Sequence, residues 1–181
     1  MTGSDTVYSL RISGIKEESC VDGPGLRQVV FTQGCRRCCK GCHNPSTHDE
    51  QGGYAMDVRD ILPGFDENPL LAGITFSGGE PFLQAKPLAW LAEQIRAREK
   101  TVFVYTGYVF EELLFLAQND HLAGRDVDRL LSLTDILVDG PYVEELRSLD
   151  LLFRGSSNQR ILDRAARDRL RSAPVTLEIV A

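Results

Sequence analysis

The stretch FTQGCRRCCKGCHNP at positions 31–45 holds four of the five cysteines of the chain, Cys35, Cys38, Cys39 and Cys42. The fifth, Cys20, lies upstream. A disulfide framework spreads its cysteines to close loops, whereas a set confined to positions 20–42 points to metal or redox chemistry in a reducing compartment. Soft thiolates suit iron–sulfur clusters and zinc. Cys35, Cys39 and Cys42 form C-x3-C-x2-C. Three thiolates on a four-iron cube leave one iron open, and an open position is what lets a metal centre bind and activate a substrate. The same residues also offer two abutting C-x2-C pairs followed by His43, which would give zinc Cys₄ or Cys₃His ligation. Zinc ribbons, however, separate their knuckles by ~15–20 residues, and these pairs touch. Redox or buried structural thiols fit the composition too, and spacing alone does not choose Cys39 over Cys38 as the middle ligand.

A second stretch, SGGEP at 77–81, carries Gly78, Gly79 and Glu80. Glycines at a strand end admit a close ligand, and carbonyls with a carboxylate accept hydrogen bonds from an ammonium group. Gly-Gly is also common in an ordinary strand-to-helix turn. Asp22-Gly23-Pro24-Gly25 has the composition of a tight turn. Arg36, Arg37 and Lys40 put basic charge among the thiols, either to dock an acidic electron donor or simply to be solvated. Arg27 is expected to be solvated or paired at the surface, and Trp90 to pack on a helix.

The elements that must hold these residues alternate. VYSLRI (7–12), LRQVVFTQ (26–33), GITFS (73–77), TVFVYTG (101–107) and DILVDG (135–140) read as strands, with NQRILD (158–163) and VTLEIV (175–180) as weaker ones. Helical spacing begins at Pro87 and runs through Leu88, Leu91, Ala92 and Ile95. Further helices are expected at 54–65, 109–117, 126–133 and 163–171, with a loop at 64–73. This order implies βαβ units and a mainly parallel sheet. The cysteine loop, SGGEP, YTGY and VDGPY each follow a strand, so they share the C-terminal edge where ligands bind. A full (βα)₈ barrel takes ~250 residues. For 181 residues the expectation is α/β, an incomplete, open (βα)n barrel in a single domain, 1–181.

Composition agrees with a cytosolic globular protein: 43% hydrophobic, 25% charged and a net charge of −6. That charge offers no nucleic-acid footprint. No signal-like N-terminus and no membrane-length apolar run are visible.

Taken together, the C-x3-C-x2-C loop and the Gly-Gly-Glu segment resemble the radical S-adenosylmethionine superfamily. DGPGLRQVVFTQGC (22–35), CKGCHNPSTHD (39–49), YTGY (105–108) and RGSSNQR (154–160) are similar to its glycyl radical enzyme activators, nearest the branch that activates anaerobic ribonucleotide reductases. The resemblance implies a [4Fe–4S] cluster on Cys35, Cys39 and Cys42, with Cys38 and Cys20 as extra thiols. It implies S-adenosylmethionine on the open iron, its amino group met by Gly78, Gly79 and Glu80, and its adenine side lined by Gly41, Cys42 and His43. His43 is expected to pack rather than ligate. Asp139, and with less force Thr106, Gly107 and Asn158-Gln159-Arg160, would contact the cofactor, the partner or only each other. Asp22, Gly23 and Gly25 would shape the opening for a partner's glycine loop. The implied reaction is one-electron cleavage of the sulfonium, fed by a flavodoxin-like donor, with a deoxyadenosyl radical taking a glycine α-hydrogen from the reductase. Gly41, where many superfamily members have an aromatic residue, favours the reductase-activator branch. A formate-lyase-type partner, or a zinc-stabilised binding module, is the alternative.

Overall fold

The computed structural model describes residues 8–172. In chain order its elements are β1 (Ser9–Ser19), β2 (Arg27–Thr32), β3 (Tyr54–Asp57), α1 (Ile61–Asp66), β4 (Gly73–Gly78), α2 (Ala85–Ala97), β5 (Thr101–Tyr105), α3 (Phe110–Asn119), α4 (Gly124–Leu133), β6 (Ile136–Asp139), β7 (Arg160–Asp163) and α5 (Arg164–Ser172). The seven strands make one sheet in the order β3-β1-β2-β4-β5-β6-β7. β2, β4, β5 and β6 run parallel. Antiparallel strands flank them, β1 and β3 on one side and β7 on the other. Among the described residues the two end strands do not pair, so the sheet stays open. The parallel centre and the open form match the α/β expectation.

The central strands are short apolar runs because both of their faces are covered or enclosed. Val30, Ile74, Phe76, Val102, Val104 and Leu137 enter one core cluster, to which all five helices contribute. Leu88, Leu91, Ala92 and Ile95 of α2, and Val127, Leu130 and Leu131 of α4, fill it at helical spacing. Alternate strand residues point the other way. On that helix-free face lie Val29, Phe31, Thr75, Ser77, Phe103, Tyr105 and Val138.

Three expectations change. The segment 54–65 is not one helix: Tyr54–Asp57 pairs with Ser9–Ile12 as an edge strand. The Asp57 carboxylate then accepts the Arg59 N–H at 2.9 Å and turns the chain into a 3₁₀ turn and α1. α1 runs through Pro63 and Gly64, because a proline in a first turn forfeits no intrahelical bond. The loop before β4 is correspondingly shorter. VTLEIV (175–180) lies outside the described residues.

Arg27, expected at the surface, is completely buried. Its five N–H groups all find oxygen: Nε donates to Thr75 Oγ1 (2.7 Å), Nη1 to the Pro24 carbonyl (3.2 Å) and Thr101 Oγ1 (2.9 Å), and Nη2 to the carbonyls of Ile74 (2.6 Å) and Thr101 (3.0 Å). None of these acceptors is a carboxylate, and burial pulls its pKa down to about 10. The guanidinium gathers the first residues of β2, β4 and β5 at the edge opposite the cysteine loop. A surface reading failed because a lone arginine in a sequence gives no sign that neutral oxygens will surround it.

Candidate metal centre

The cysteine loop leaves β2 and returns before β3, and its two ends are sewn together. Gly34 N–H donates to the Thr47 carbonyl at 2.8 Å and Cys35 N–H to the His48 carbonyl at 3.1 Å. The Gln33 amide donates to the carbonyls of Ser46 (3.0 Å) and Asp49 (2.7 Å). This is a closed, compact loop of the Ω type. Within it Cys35, Cys39 and Cys42 are half-buried, whereas Cys38 is exposed. Cys38 takes a positive φ of 45°, which turns its thiol back to within 3.7 Å of the Cys35 carbonyl. The Asn44 N–H donates to Cys42 Sγ at 3.4 Å, and burial pushes the Cys35 thiol pKa up. Beside Asn44, a cleft of about 240 Å³ opens between Ser13, Gly14, Phe31 and Thr47.

Gly78, Gly79 and Glu80 lie directly against the root of this loop. Gly79 N–H donates to the Thr32 carbonyl and Glu80 N–H to the Gly34 carbonyl, both at 2.8 Å. A Cβ on Gly78 would sit 2.7 Å from the backbone of Phe31 and Thr32, and one on Gly79 would sit 2.4 Å from the Gly34 carbonyl oxygen. Both glycines are therefore required by backbone-on-backbone packing, a reason that would hold without any ligand. Gly78 also has a φ of 93°.

The Glu80 side chain is buried and anchored. Its Oε1 accepts from Thr106 Oγ1 (2.9 Å) and Phe82 N–H (3.1 Å), and its Oε2 from Gly107 N–H (2.8 Å). Burial pushes its pKa up to about 7 against those three donors and the Arg37 charge. Thr106 and Gly107 thus act on Glu80, joining the ends of β4 and β5.

His43 is exposed and rests on the Tyr142 ring, with centroids 4.9 Å apart. Gly41, at φ 69°, faces Glu144, whose oxygen would meet a Cβ there at 2.8 Å. Asp139 is fully buried, and both of its oxygens are bonded to protein: Oδ1 accepts from Arg160 Nε (2.9 Å), and Oδ2 from Phe110 N–H (2.7 Å) and Arg160 Nη2. Asn158 and Gln159 donate to the carbonyls of Pro141 (2.8 Å) and Gly140 (3.1 Å), so RGSSNQR folds back onto the end of β6. Asp22 and Gly23 lie on the helix-free face, and a Cβ on Gly25 would meet Ala72 Cβ at 2.6 Å. The Asp22 carbonyl accepts from Thr75 Oγ1 at 2.7 Å, and a Gly23 Cβ would strike Arg27 Cδ at 2.8 Å and Phe103 at 3.1 Å.

The three basic loop residues are each engaged by acids. Arg36 pairs with Glu50 at 2.6 Å, Arg37 with Glu112, and Lys40 with Glu144 at 3.0 Å. Two glutamines, Gln33 and Gln84, also hold the site together. Gln84 ties the Arg11 and Gln33 carbonyls at 2.7 and 3.0 Å. Isolated glutamines carry no spacing signal, so nothing in the sequence marks them.

An open α/β sheet that gathers three half-buried thiols on one closed loop at its parallel strand ends has the donor set of an iron–sulfur protein. The family described as "4Fe-4S single cluster domain" matches residues 21–162. The chain is 32% identical over 147 residues to the anaerobic ribonucleoside-triphosphate reductase-activating protein of Enterobacteria phage T4, covering 78% of this chain and 86% of the relative. It is 34% identical over 147 residues to the protein of the same name from Escherichia coli K12, covering 77% and 89%. A pyruvate formate-lyase-activating enzyme of Clostridium pasteurianum is 44% identical over 81 residues, which are 41% of this chain and 33% of that one. The chain belongs to the 4Fe–4S single cluster family and, within it, to the radical S-adenosylmethionine activating enzymes of glycyl radical enzymes.

Proposed function

We propose that this protein activates an anaerobic ribonucleotide reductase, using a [4Fe–4S] cluster to cleave S-adenosylmethionine reductively and leave a glycyl radical on the partner. The carrying observation is the exposure pattern of the loop: Cys35, Cys39 and Cys42 are half-buried and Cys38 is not. This supports three thiolate ligands and one open iron.

In this reading Cys35, Cys39 and Cys42 hold the cluster. When bound, the cluster and S-adenosylmethionine supply the electron and the hydrogen-abstracting radical, and the protein supplies position and shelter. Backbone carbonyls at Gly78 and Gly79 would accept from the ammonium group, with the Glu80 side chain anchored behind them by Thr106, Phe82 and Gly107. The backbone of Gly41, Cys42 and His43, which flanks the last of the three thiols, would line the adenine side of the cofactor. A partner's glycine loop would approach at the helix-free face, beside the Asp22–Gly25 turn. A flavodoxin-like protein fits as the one-electron donor, although the basic loop residues are occupied by internal ion pairs. The reductase is favoured over a formate-lyase partner because the relatives named for it align over more than three quarters of the chain.

Anaerobic reconstitution with iron and sulfide, followed by assay of deoxyadenosine release with and without each partner, tests this. A brown protein and a glycyl signal in the reductase by electron paramagnetic resonance are expected. A colourless protein with one bound zinc, or a signal only in the lyase, overturns the reading.

A further inference from the structure

We propose that Arg37 is a positioning residue, locking the cysteine loop onto the turn that holds Glu80 so that the thiols and the Gly78–Glu80 segment are set relative to each other before any cofactor binds. The inference rests on the proposed function only in taking those two features as one cofactor site.

The three basic residues of the loop are not equivalent. The Arg36 and Lys40 side chains are 72% and 81% exposed, and such surface pairs contribute little. Arg37 is 24% exposed. Its guanidinium lies 4.4 Å over the Tyr108 ring and also pairs with Glu112. Its stem covers Gly107, where a Cβ would meet Arg37 Cδ at 3.2 Å. Gly107 N–H is the group that holds Glu80 Oε2, and the Thr106 hydroxyl holds Oε1. Glu112 is itself fixed, since its Oε2 accepts the Val109 N–H at 2.9 Å and closes the first turn of α3. One side chain thus touches the turn at Gly107, Tyr108 and Glu112, while its own backbone lies between Cys35 and Cys39.

The loop needs such a tether. Its base is sewn by backbone bonds, but residues 35–44 contain no helix or strand. Ordering a residue costs conformational entropy, and a site that is already ordered does not meet that cost on binding. A planar guanidinium can stack and pair at once, which an ammonium cannot.

The test compares wild type with Arg37→Gln, Arg37→Lys and Tyr108→Ala, using Arg36→Gln as control, in the full chain. In cluster-free protein, amide hydrogen exchange at 35–42 and at 106–109 should quicken about tenfold in Arg37→Gln and stay unchanged in Arg36→Gln. After reconstitution, Arg37→Gln should keep wild-type iron and sulfide content. It should bind S-adenosylmethionine about tenfold more weakly while its saturated rate of deoxyadenosine release holds. Arg37→Lys and Tyr108→Ala should fall between. Unchanged exchange at either segment, equal loosening by Arg36→Gln, or a lost saturated rate at unchanged affinity overturns the proposal. If wild type itself binds no S-adenosylmethionine, the proposed function fails, and the exchange comparison alone decides Arg37.

Discussion

Glu80, at the foot of the turn after β4, and Gly107, at the end of β5, are joined by a 2.8 Å hydrogen bond from the Gly107 N–H to the Glu80 carboxylate. A buried carboxylate therefore closes the gap between neighbouring parallel strands. Burial raises its pKa from 4.5 to about 7, so the folded chain favours the protonated form. The stability this confers is complete below pH 4.5 and is lost as pH rises to about 7. At 1.36 kcal/mol per pH unit the loss is roughly 3 kcal/mol. Carboxylates held low by partners, such as Asp57, Asp66 and Glu111, titrate below that window. Denaturant unfolding of the cluster-free protein from pH 4.5 to 7 should show this decline in wild type, and Glu80→Gln should flatten it. A slope that persists in the variant would assign the titration elsewhere.

Arg27 makes a different prediction, because its five partners are neutral. Arg27→Met matches the length and apolar stem but leaves the Ile74, Thr101 and Pro24 oxygens without donors. Each buried orphan costs ~1–3 kcal/mol, offset in part because the charge no longer has to be buried. A net loss of about 3 kcal/mol corresponds to a melting temperature lower by roughly 6–12 °C. Arg27→Lys should fare no better, since three donors on one nitrogen cannot span three strands. A melt unchanged in both variants would show that the guanidinium contributes nothing net.

The same residue shows where a sequence stops being legible. The parallel centre could be read because buried strands are continuous apolar runs and each ends in glycine or in the cysteine loop. The cysteine loop could be read as an iron–sulfur candidate because thiol spacing on one loop is local, although spacing alone does not choose Cys39 over Cys38. Arg27 and Tyr54–Asp57 could not. The first depends on oxygens brought from β4 and β5, and the second on pairing with Ser9–Ile12, both of them partners distant in sequence. Gly78 and Gly79 were legible as required glycines but for a different reason: the Cys-loop root, rather than a ligand alone, occupies the space a Cβ would need.

Asp139 separates architecture from binding. Its oxygens are taken by Arg160 and by the first N–H of α3, and Arg160 also reaches Glu111 at 2.7 Å. Asp139→Ala would strand the Phe110 N–H and half of the Arg160 partners, at a cost of about 3 kcal/mol. Thermal unfolding of the cluster-free chain should reveal that loss. In reconstituted protein that remains folded, the affinity for S-adenosylmethionine should hold within about twofold, or ~0.4 kcal/mol. A large fall in affinity with an undisturbed melt would place the carboxylate on the cofactor instead.

Separate replacements of the four loop cysteines should divide three against one. Alanine at Cys35, Cys39 or Cys42 removes a half-buried thiol of the loop, and each should abolish a stable cluster, read as loss of bound iron, of sulfide and of the brown absorption. Alanine at Cys38 removes an exposed thiol that lies 3.7 Å from the Cys35 carbonyl, and the cluster should assemble as in wild type. Cys38→Gly sharpens the comparison. At φ 45° a side chain carries left-handed strain of ~1–2 kcal/mol, which glycine relieves, against ~0.5–1 kcal/mol of extra chain entropy lost on folding. The two nearly cancel, so Cys38→Gly should melt within a few degrees of wild type and keep its iron. Loss of iron from both Cys38 variants, with retention in Cys39→Ala, would exchange the roles of the two neighbours and make the loop C-x2-C-x3-C.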